Sequence, residues 1–386
     1  MRLPDYQGGG IVNLMASLQQ GLGGPVHAYA PLQRLPVERV REHRQVLLWV
    51  IDGLGLNYLV AHPDEAACLN AHLAGGMTSV YPPTTATAVT TYLTGDAPQQ
   101  HGLTGWHMYL QELGSVMAVL PGRARYGGCG WSASGIDVAA LFAHRPFADR
   151  IAVPSHNFSP AAIAGSDFNR AHLGRAQWHS YQDLADLMTQ SAEVLRQDGE
   201  RFVYAYWSEL DGLGHRKGIW SAAAQGHLRE LDQAFETLLH ELRGSDTLVV
   251  VCADHGQIDT TPADRIVLDD HPALAELLAQ PLCGEPRSAY CYLRPGCEAA
   301  FDAYVLSEFA GKARSHPGAE VIRAGWFGLG DPHPRLARRV GDRVLLMQEH
   351  FVLKDWLAQE RRFEMIGVHG GLSDDELLVP LVLAAA

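Results

Sequence analysis

The chain has 386 residues, 47% of them hydrophobic and 19% charged, a globular composition that excludes a disordered or collagen-like protein. Lys and Arg number 30 against 43 Asp and Glu, a formal charge of −13, which excludes a broad electrostatic grip on duplex nucleic acid or an anionic membrane. The length allows two or three domains or one large α/β domain with insertions, and we expect the single domain, over residues 1–386.

The N-terminus, MRLPDYQGGG, lacks the basic and apolar regions of a secretory leader. The uncharged stretch from Tyr6 to Gln33 is interrupted by six glycines and two prolines, too broken for a membrane span. Val46 to Ile51 is a continuous apolar run, the pattern of a strand buried on both faces. From Gly105 to about Arg175 the periodicity is weak. Ser180 to Gln197 reads as a helix, Phe202 to Trp207 as a second buried strand, and Ser221 to Arg243 as a long amphipathic helix. That helix carries Leu228, Leu231, Phe235, Leu238, Leu239 and Leu242 at helical spacing. Thr247 to Cys252 is a third buried strand. Thr261 to Arg362 is broken by Pro and Gly, with a short strand at Tyr290 to Leu293.

Strand alternating with helix predicts a mostly parallel central sheet. The irregular stretches, about 105–175 and 261–362, are expected to be inserted cap or lid segments. The basic run Arg335 to Arg343 is expected to be a solvated face. Six cysteines (68, 129, 252, 283, 291, 297) form no C-x-x-C pair. In a chain of this size they read as reduced thiols and point to the cytoplasm, three bridges being the minority reading.

The three buried strands end alike. The first runs into Asp52-Gly53, the second into Glu209-Leu210-Asp211-Gly212-Leu213-Gly214-His215, the third into Asp254-His255-Gly256. Ligands of open parallel sheets bind beyond the carboxyl ends of the strands. His369 stands in a fourth glycine-rich turn, Gly367 to Gly371. Singly, each has a bland explanation. Asp52 suits a turn, Asp211 and His215 suit an i, i+4 pair, and His369 is one of 19 histidines. Jointly, six Asp and His at strand ends and glycine turns fit two metal sites of mixed oxygen and nitrogen ligands.

Between the first and second strands lies YPPTTATAVTTYLTG, residues 81–95. Pro82-Pro83 forces extended backbone, and the threonines enter a helix. One threonine there is an N-cap in the plainest reading. In the functional reading its hydroxyl meets metal on one side and the helix N-terminus on the other, where free N–H groups hold phosphate oxygens.

Asp…Thr…Asp-x-x-x-His…Asp-His…His in this order resembles the alkaline phosphatase superfamily, and within it the type I phosphodiesterase/nucleotide pyrophosphatase branch. The likeness runs from about Val46 to Leu383 through five motifs: VIDGLG, YPPTTATAVTTYLTG followed by HG at 101–102, SELDGLGHRKG, VVCADHGQ and GVHGGLSDDE. It implies an α/β fold with an alkaline-phosphatase-like, mostly parallel central sheet and helices on both faces. It implies Thr85, ten residues before Gly95, as nucleophile. One divalent ion would be held by Asp52, Asp254, His255 and Thr85, the other by Asp211, His215 and His369. Zinc is the family's usual metal, with manganese and iron as alternatives.

The chain departs from the pattern at Ala88, where many members carry an Asn that holds phosphate. Ala86, Asn57, Trp106 and His107 are the candidate substrate contacts. Trp106 or Tyr109 is a candidate to stack a base, with packing against the sheet as the plainer role. No C/S-x-P-x-R motif stands at Thr85, unlike the sulfatases, and serine-dependent monoesterases and phosphoglycerate mutases are disfavoured by threonine. The expected activity is hydrolysis of phosphodiester or nucleotide pyrophosphate bonds through a phospho-threonine, on a small phosphate-ester or nucleotide-like substrate. The alternatives are a phosphomonoesterase, a phosphonoacetate-type hydrolase, or a metal-binding scaffold without catalysis.

Overall fold

The computed structural model describes residues 1–358, 360 and 362–386. Gln359 and Arg361, inside the expected insertion 261–362, lie outside the described residues. The central sheet has seven strands: β1 (Gln45–Ile51), β2 (Leu73–Thr78), β3 (Ser155–Pro160), β4 (Gln177–Tyr181), β5 (Arg201–Trp207), β6 (Thr247–Cys252) and β7 (Leu378–Ala385). Their spatial order is β2-β7-β6-β1-β5-β3-β4. β1 pairs parallel with β5 and β6, and β3 pairs parallel with β5 and β4. Only β7 runs antiparallel to its neighbours, β6 and β2.

The three apolar runs are the middle of this sheet, and every residue of β1, β5 and β6 is buried. Each fully buried Val, Leu or Phe there contributes about 1.5–3 kcal/mol relative to an exposed one. Register then does the positioning. Ile51 lies opposite Trp207 and Val50 opposite Cys252, so all three chains leave the sheet at one edge.

Helices pack in two groups. Leu184–Leu195 and Ala67–Ala71 pack on Ala222–Glu241, while Ile11–Gly21 packs on Thr85–Thr94. The long helix starts where Ser221 Oγ accepts from the Ala224 amide, and it buries Leu228, Leu231, Phe235 and Leu238. Its partner starts at Asp183, whose carboxylate accepts from the Asp186 amide, because Ser180 and Tyr181 belong to β4. The uncharged stretch near the N-terminus is buried helix over Ile11–Gly21, with Asn13 inward and donating to the carbonyls of Tyr6 and Ala30. No helix among the described residues is long and apolar enough to cross a membrane.

The expected first insertion divides. Its last part supplies β3, so the central sheet reaches further than the apolar runs suggested. β4 is the edge strand, where Gln177, Trp178 and Ser180 are exposed, and an edge strand leaves no continuous apolar signal. Its first part, with strands His107–Leu110, Ser115–Ala118 and Arg123–Ala124, joins strands of the second insertion in another seven-stranded sheet. The junction is the pairing of His107 with Gly284. The short strand expected at Tyr290 to Leu293 is Ser288–Cys291. Tyr109 packs edge-on against Tyr292 here, at 5.2 Å between centroids, as a packing residue.

The run Arg335 to Arg343 is not a solvated face throughout. Arg339 is 1% exposed. Its guanidinium donates to the Gly102 carbonyl and to the Glu112 carboxylate, which pairs the buried charge.

Candidate active site

Asp52 emerges from β1, and its amide donates to the Trp207 carbonyl at 2.8 Å, locking it to the end of β5. Gly53 follows at φ 79°, and its amide donates to Asp254 Oδ1 at 3.1 Å. A Cβ at Gly53 would meet the Asp211 backbone at 3.0 Å, so the three carboxylates converge only around a glycine. Asp211 and His215 project from one face of the helix Glu209–Lys217, with His215 Nε2 3.1 Å from Asp211 Oδ2. Asp254 and His255 follow β6 and are fully buried. The His369 ring stacks on that of His255 at 3.7 Å.

Thr85 opens the helix Thr85–Thr94. Its Oγ1 lies 3.2 Å from His255 Nε2 and 3.5 Å from Asp52 Oδ2. The carboxylate and imidazole ligand atoms form two tight groups, Asp52, Asp254, His255 and Asp211, His255, His369, each within 4.8 Å. His255 thus stands between the groups, and His215 reaches the second through Asp211. Ala86 is buried in the first helical turn, where amides lack intrahelical acceptors.

The donor set fits divalent cations. His215 Nδ1 meets the Gly367 carbonyl at 2.8 Å, His369 Nδ1 the Pro83 carbonyl at 3.2 Å, and His255 Nδ1 the Gly256 carbonyl at 3.1 Å. A carbonyl only accepts, so each Nδ1 carries a proton, and each Nε2, facing the carboxylates, is the atom a cation would take. Among the described residues, Asp52 Oδ1 and Asp254 Oδ2 are buried without a hydrogen-bond partner. Lone pairs facing lone pairs in a dry site require positive charge between them.

The electrostatics agree. Burial, then the charges of Asp254 and Asp211, push the Asp52 carboxyl well above the usual range. Burial likewise raises Asp254. For Asp211 burial is outweighed by the charge and hydrogen bond of His215, which is itself raised by that carboxylate, and Asp211 lies below the usual range. Burial and the neighbouring His255 hold His369 neutral, well below an ordinary imidazole.

Residues beyond the motif assignments hold this geometry. The Tyr206 hydroxyl donates to Asp52 Oδ2. The Gln257 amide donates to Asp211 Oδ1, and a Cβ at Gly214 would strike that amide at 1.8 Å. Buried Glu285 accepts from the Thr84 hydroxyl at 2.8 Å and the Trp106 amide at 2.7 Å. Glu376, paired with Arg287 at 2.9 Å, accepts from the Gly371 amide and so fixes the turn carrying His369. Gln257 stands within the VVCADHGQ motif, and Tyr206 alternates with Tyr204 on one strand face. Glu285 carried no signal.

Two cavities open on Thr85. One, of about 360 Å³, is lined by Trp106, His107, Glu285, His215, His369 and Lys354. The other, of about 480 Å³, is lined by Val89, Leu93, Phe168, Asn157, Tyr204 and Tyr206. Thr85, Trp106 and Asp211 border both. Trp106 and His107 therefore reach the site. Asn57 does not: it sits on the helix Leu56–Ala61 and donates to Asp375 Oδ1 at 2.6 Å. Nearness to Asp52 in sequence misleads there, because the intervening turn points the helix away.

Comparison with known proteins gives a consistent picture. Ectonucleotide pyrophosphatase/phosphodiesterase family member 3 of mouse is 26% identical over 230 residues, which is 57% of this chain and 26% of that protein. The rat protein of the same name is 25% identical over 235 residues, again 57% and 26%. The chain thus matches about a quarter of the length of these curated relatives. Among solved structures, murine ectonucleotide pyrophosphatase/phosphodiesterase 5, an inactive variant in complex with AMP, superposes with TM-score 0.64 at 16% identity, covering 88% of this chain and 87% of that one. The human protein 5 gives TM-score 0.65 at 15% identity, covering 88% and 87%. These likenesses establish a shared fold. The family described as type I phosphodiesterase / nucleotide pyrophosphatase matches residues 46–370, most of the chain and all seven convergent side chains, and the protein belongs to that family.

Proposed function

We propose that the protein is a metal-dependent hydrolase of phosphodiester or nucleotide pyrophosphate bonds that works through a covalent phospho-threonine. The observation that carries this reading is the Thr85 hydroxyl, set at a helix N-terminus between two clusters of Asp and His. Divalent ions held by Asp52, Asp254, His255 and Thr85, and by Asp211, His215 and His369, would neutralise phosphate charge and favour the ionised hydroxyl.

The side chains do the rest. Thr85 Oγ1 attacks phosphorus. The bond from phosphorus to the departing oxygen breaks, and that oxygen gains the proton Thr85 has lost. Water then attacks phosphorus, the bond to Thr85 breaks, Thr85 regains a proton, and a monoester leaves. First-turn amides at Thr85 and Ala86 face the phosphate oxygens at the helix N-terminus. They are the natural replacement for an Asn at position 88.

Two cavities meeting at Thr85 give room for two substituents on phosphorus, which favours a diester or pyrophosphate over a monoester. Arg125 lines the first cavity but is already neutralised by Asp355 and Glu360, so it offers nothing to a monoester dianion. Relatives named as nucleotide pyrophosphatases, and AMP in one neighbour, support a small nucleotide-like substrate. All six cysteines are free thiols. On that basis we assign a reducing compartment.

The test compares bis-p-nitrophenyl phosphate, p-nitrophenyl phosphate and a dinucleotide pyrophosphate after zinc or manganese loading. The diester or pyrophosphate should be turned over faster than the monoester, and chelator should abolish both. Faster monoester turnover contradicts the diester reading. No chelator-sensitive turnover of any ester leaves a metal-binding scaffold.

A further inference from the structure

We propose that Lys354 recognises a second anionic group on one arm of the substrate, so that the cavity it lines selects phosphoryl compounds carrying another phosphate or a carboxylate. This rests on the hydrolase reading and deepens it.

Lys354 ends the strand Val352–Lys354, inside the second insertion, and was no part of any motif. That strand pairs in parallel with Arg265–Val267, which fixes where the side chain leaves the backbone. The side chain lines the same cavity as Thr85, Asp211, His215 and His369. The Trp356 ring lies 5.8 Å from its Nζ and supports it by a cation–π contact.

The charge arrangement is what singles it out. The other cation on this wall, Arg125, is spent: it donates to Glu360 at 2.7 and 2.9 Å and to Asp355 at 2.8 Å. Lys354 has no hydrogen bond or ion pair to its Nζ among the described residues. The nearby carboxylate of Glu285 attracts it at longer range, but Glu285 is engaged by Thr84 and the Trp106 amide. Burial brings the ammonium down to about 8, which leaves it mostly charged at neutral pH. A half-buried ammonium with no protein partner, facing a cavity beside the phosphoryl site, is incomplete until an anion meets it.

The rest of the wall suits a short arm. Leu282, Ala289, Leu353 and Met365 make it largely apolar, and of its two long cationic side chains the ammonium is the one without an ion pair among the described residues. A neutral arm would leave that charge desolvated. An arm ending in an oxyanion satisfies it.

The experiment measures binding of three probes by calorimetry and as inhibitors of bis-p-nitrophenyl phosphate hydrolysis, at a fixed excess of free zinc. Methylphosphonate has one phosphoryl group only. Pyrophosphate adds a phosphate, and phosphonoacetate adds a carboxylate. Wild type, K354M and K354R are compared. In wild type at least one two-anion probe should bind more tightly than methylphosphonate. In K354M that preference should fall about tenfold, the value of a lost charge-assisted hydrogen bond, and K354R should restore it. The probe whose preference falls tells phosphate from carboxylate.

An unchanged preference in a folded K354M, or none in wild type, overturns the proposal. If K354M does not fold, K354Q takes its place. If bis-p-nitrophenyl phosphate is not hydrolysed at all, the hydrolase reading fails by itself, and the calorimetric ratio still decides the role of Lys354.

Discussion

Thr85 Oγ1 and His255 Nε2 are 3.2 Å apart, though 170 residues separate them in the chain. The contact exists because β6 delivers His255 just past its end, and the helix Thr85–Thr94 begins at the same place with Thr85. If Thr85 is the nucleophile, Thr85→Ala should lower turnover at least about 10³-fold while leaving metal content and secondary structure intact. Thr85→Ser should keep a measurable fraction and yield a phosphoserine on acid quench. Steady-state kinetics with metal analysis checks both, and wild-type turnover in Thr85→Ala would remove Thr85 from the mechanism.

The Tyr206 hydroxyl donates to Asp52 Oδ2 and aims the other oxygen inward. Tyr206→Phe removes that bond and little volume. We expect metal affinity or activity to fall about 10–100-fold, with recovery at high zinc if affinity is the cause. A zinc titration of activity distinguishes this from a purely structural role, which added zinc would not reverse.

Glu376 and Arg287 are buried together, at 0% and 2% side-chain exposure. Burial works to raise the Glu376 carboxyl, but Arg287 outweighs it and keeps the group ionised. Glu376→Ala strands the guanidinium and should cost about 3–5 kcal/mol. Replacing both residues by methionine should cost less than Glu376→Ala alone. Urea unfolding midpoints test the order, and a double variant worse than the single one contradicts it.

Acid should loosen the histidine cluster behind the site. Burial lowers His172 to about 4 and pushes His101 and His144 in the same direction. The unfolded state, with imidazoles near 6.5, binds these protons more readily. Stability is therefore complete above about pH 6.5 and is lost as pH falls toward 4. His172 alone should account for roughly 2 kcal/mol between pH 7 and 5. A His172→Asn variant should show a flatter dependence of the urea midpoint on pH over that range, and an unchanged slope would contradict this assignment.

Asp52, Asp254 and His255 were legible because strands buried on both faces appear as unbroken apolar runs, and the residues just after such a run stand at the ligand edge. Asp211 and His215 were legible as an i, i+4 pair after the same kind of run. Lys354 and Glu285 were not, because they arrive on short strands of an irregular insertion whose pairing is long-range. Tyr206 was hidden inside an apolar run, where a hydroxyl bonded to a carboxylate looks like one more core aromatic. Asn57 was misplaced because distance along the chain was read as distance in space. The outer strands β3 and β4 escaped because both are largely polar: β3 reads SHNFSP, and β4, at the edge, exposes Gln177, Trp178 and Ser180.

The most direct measurement is anomalous X-ray diffraction on crystals grown with zinc, collected on both sides of the zinc edge. The account predicts two peaks: one bounded by Asp52, Asp254, His255 and Thr85 Oγ1, the other by Asp211, His215 and His369. No peak at either cluster, or zinc bound only elsewhere on the surface, would contradict it.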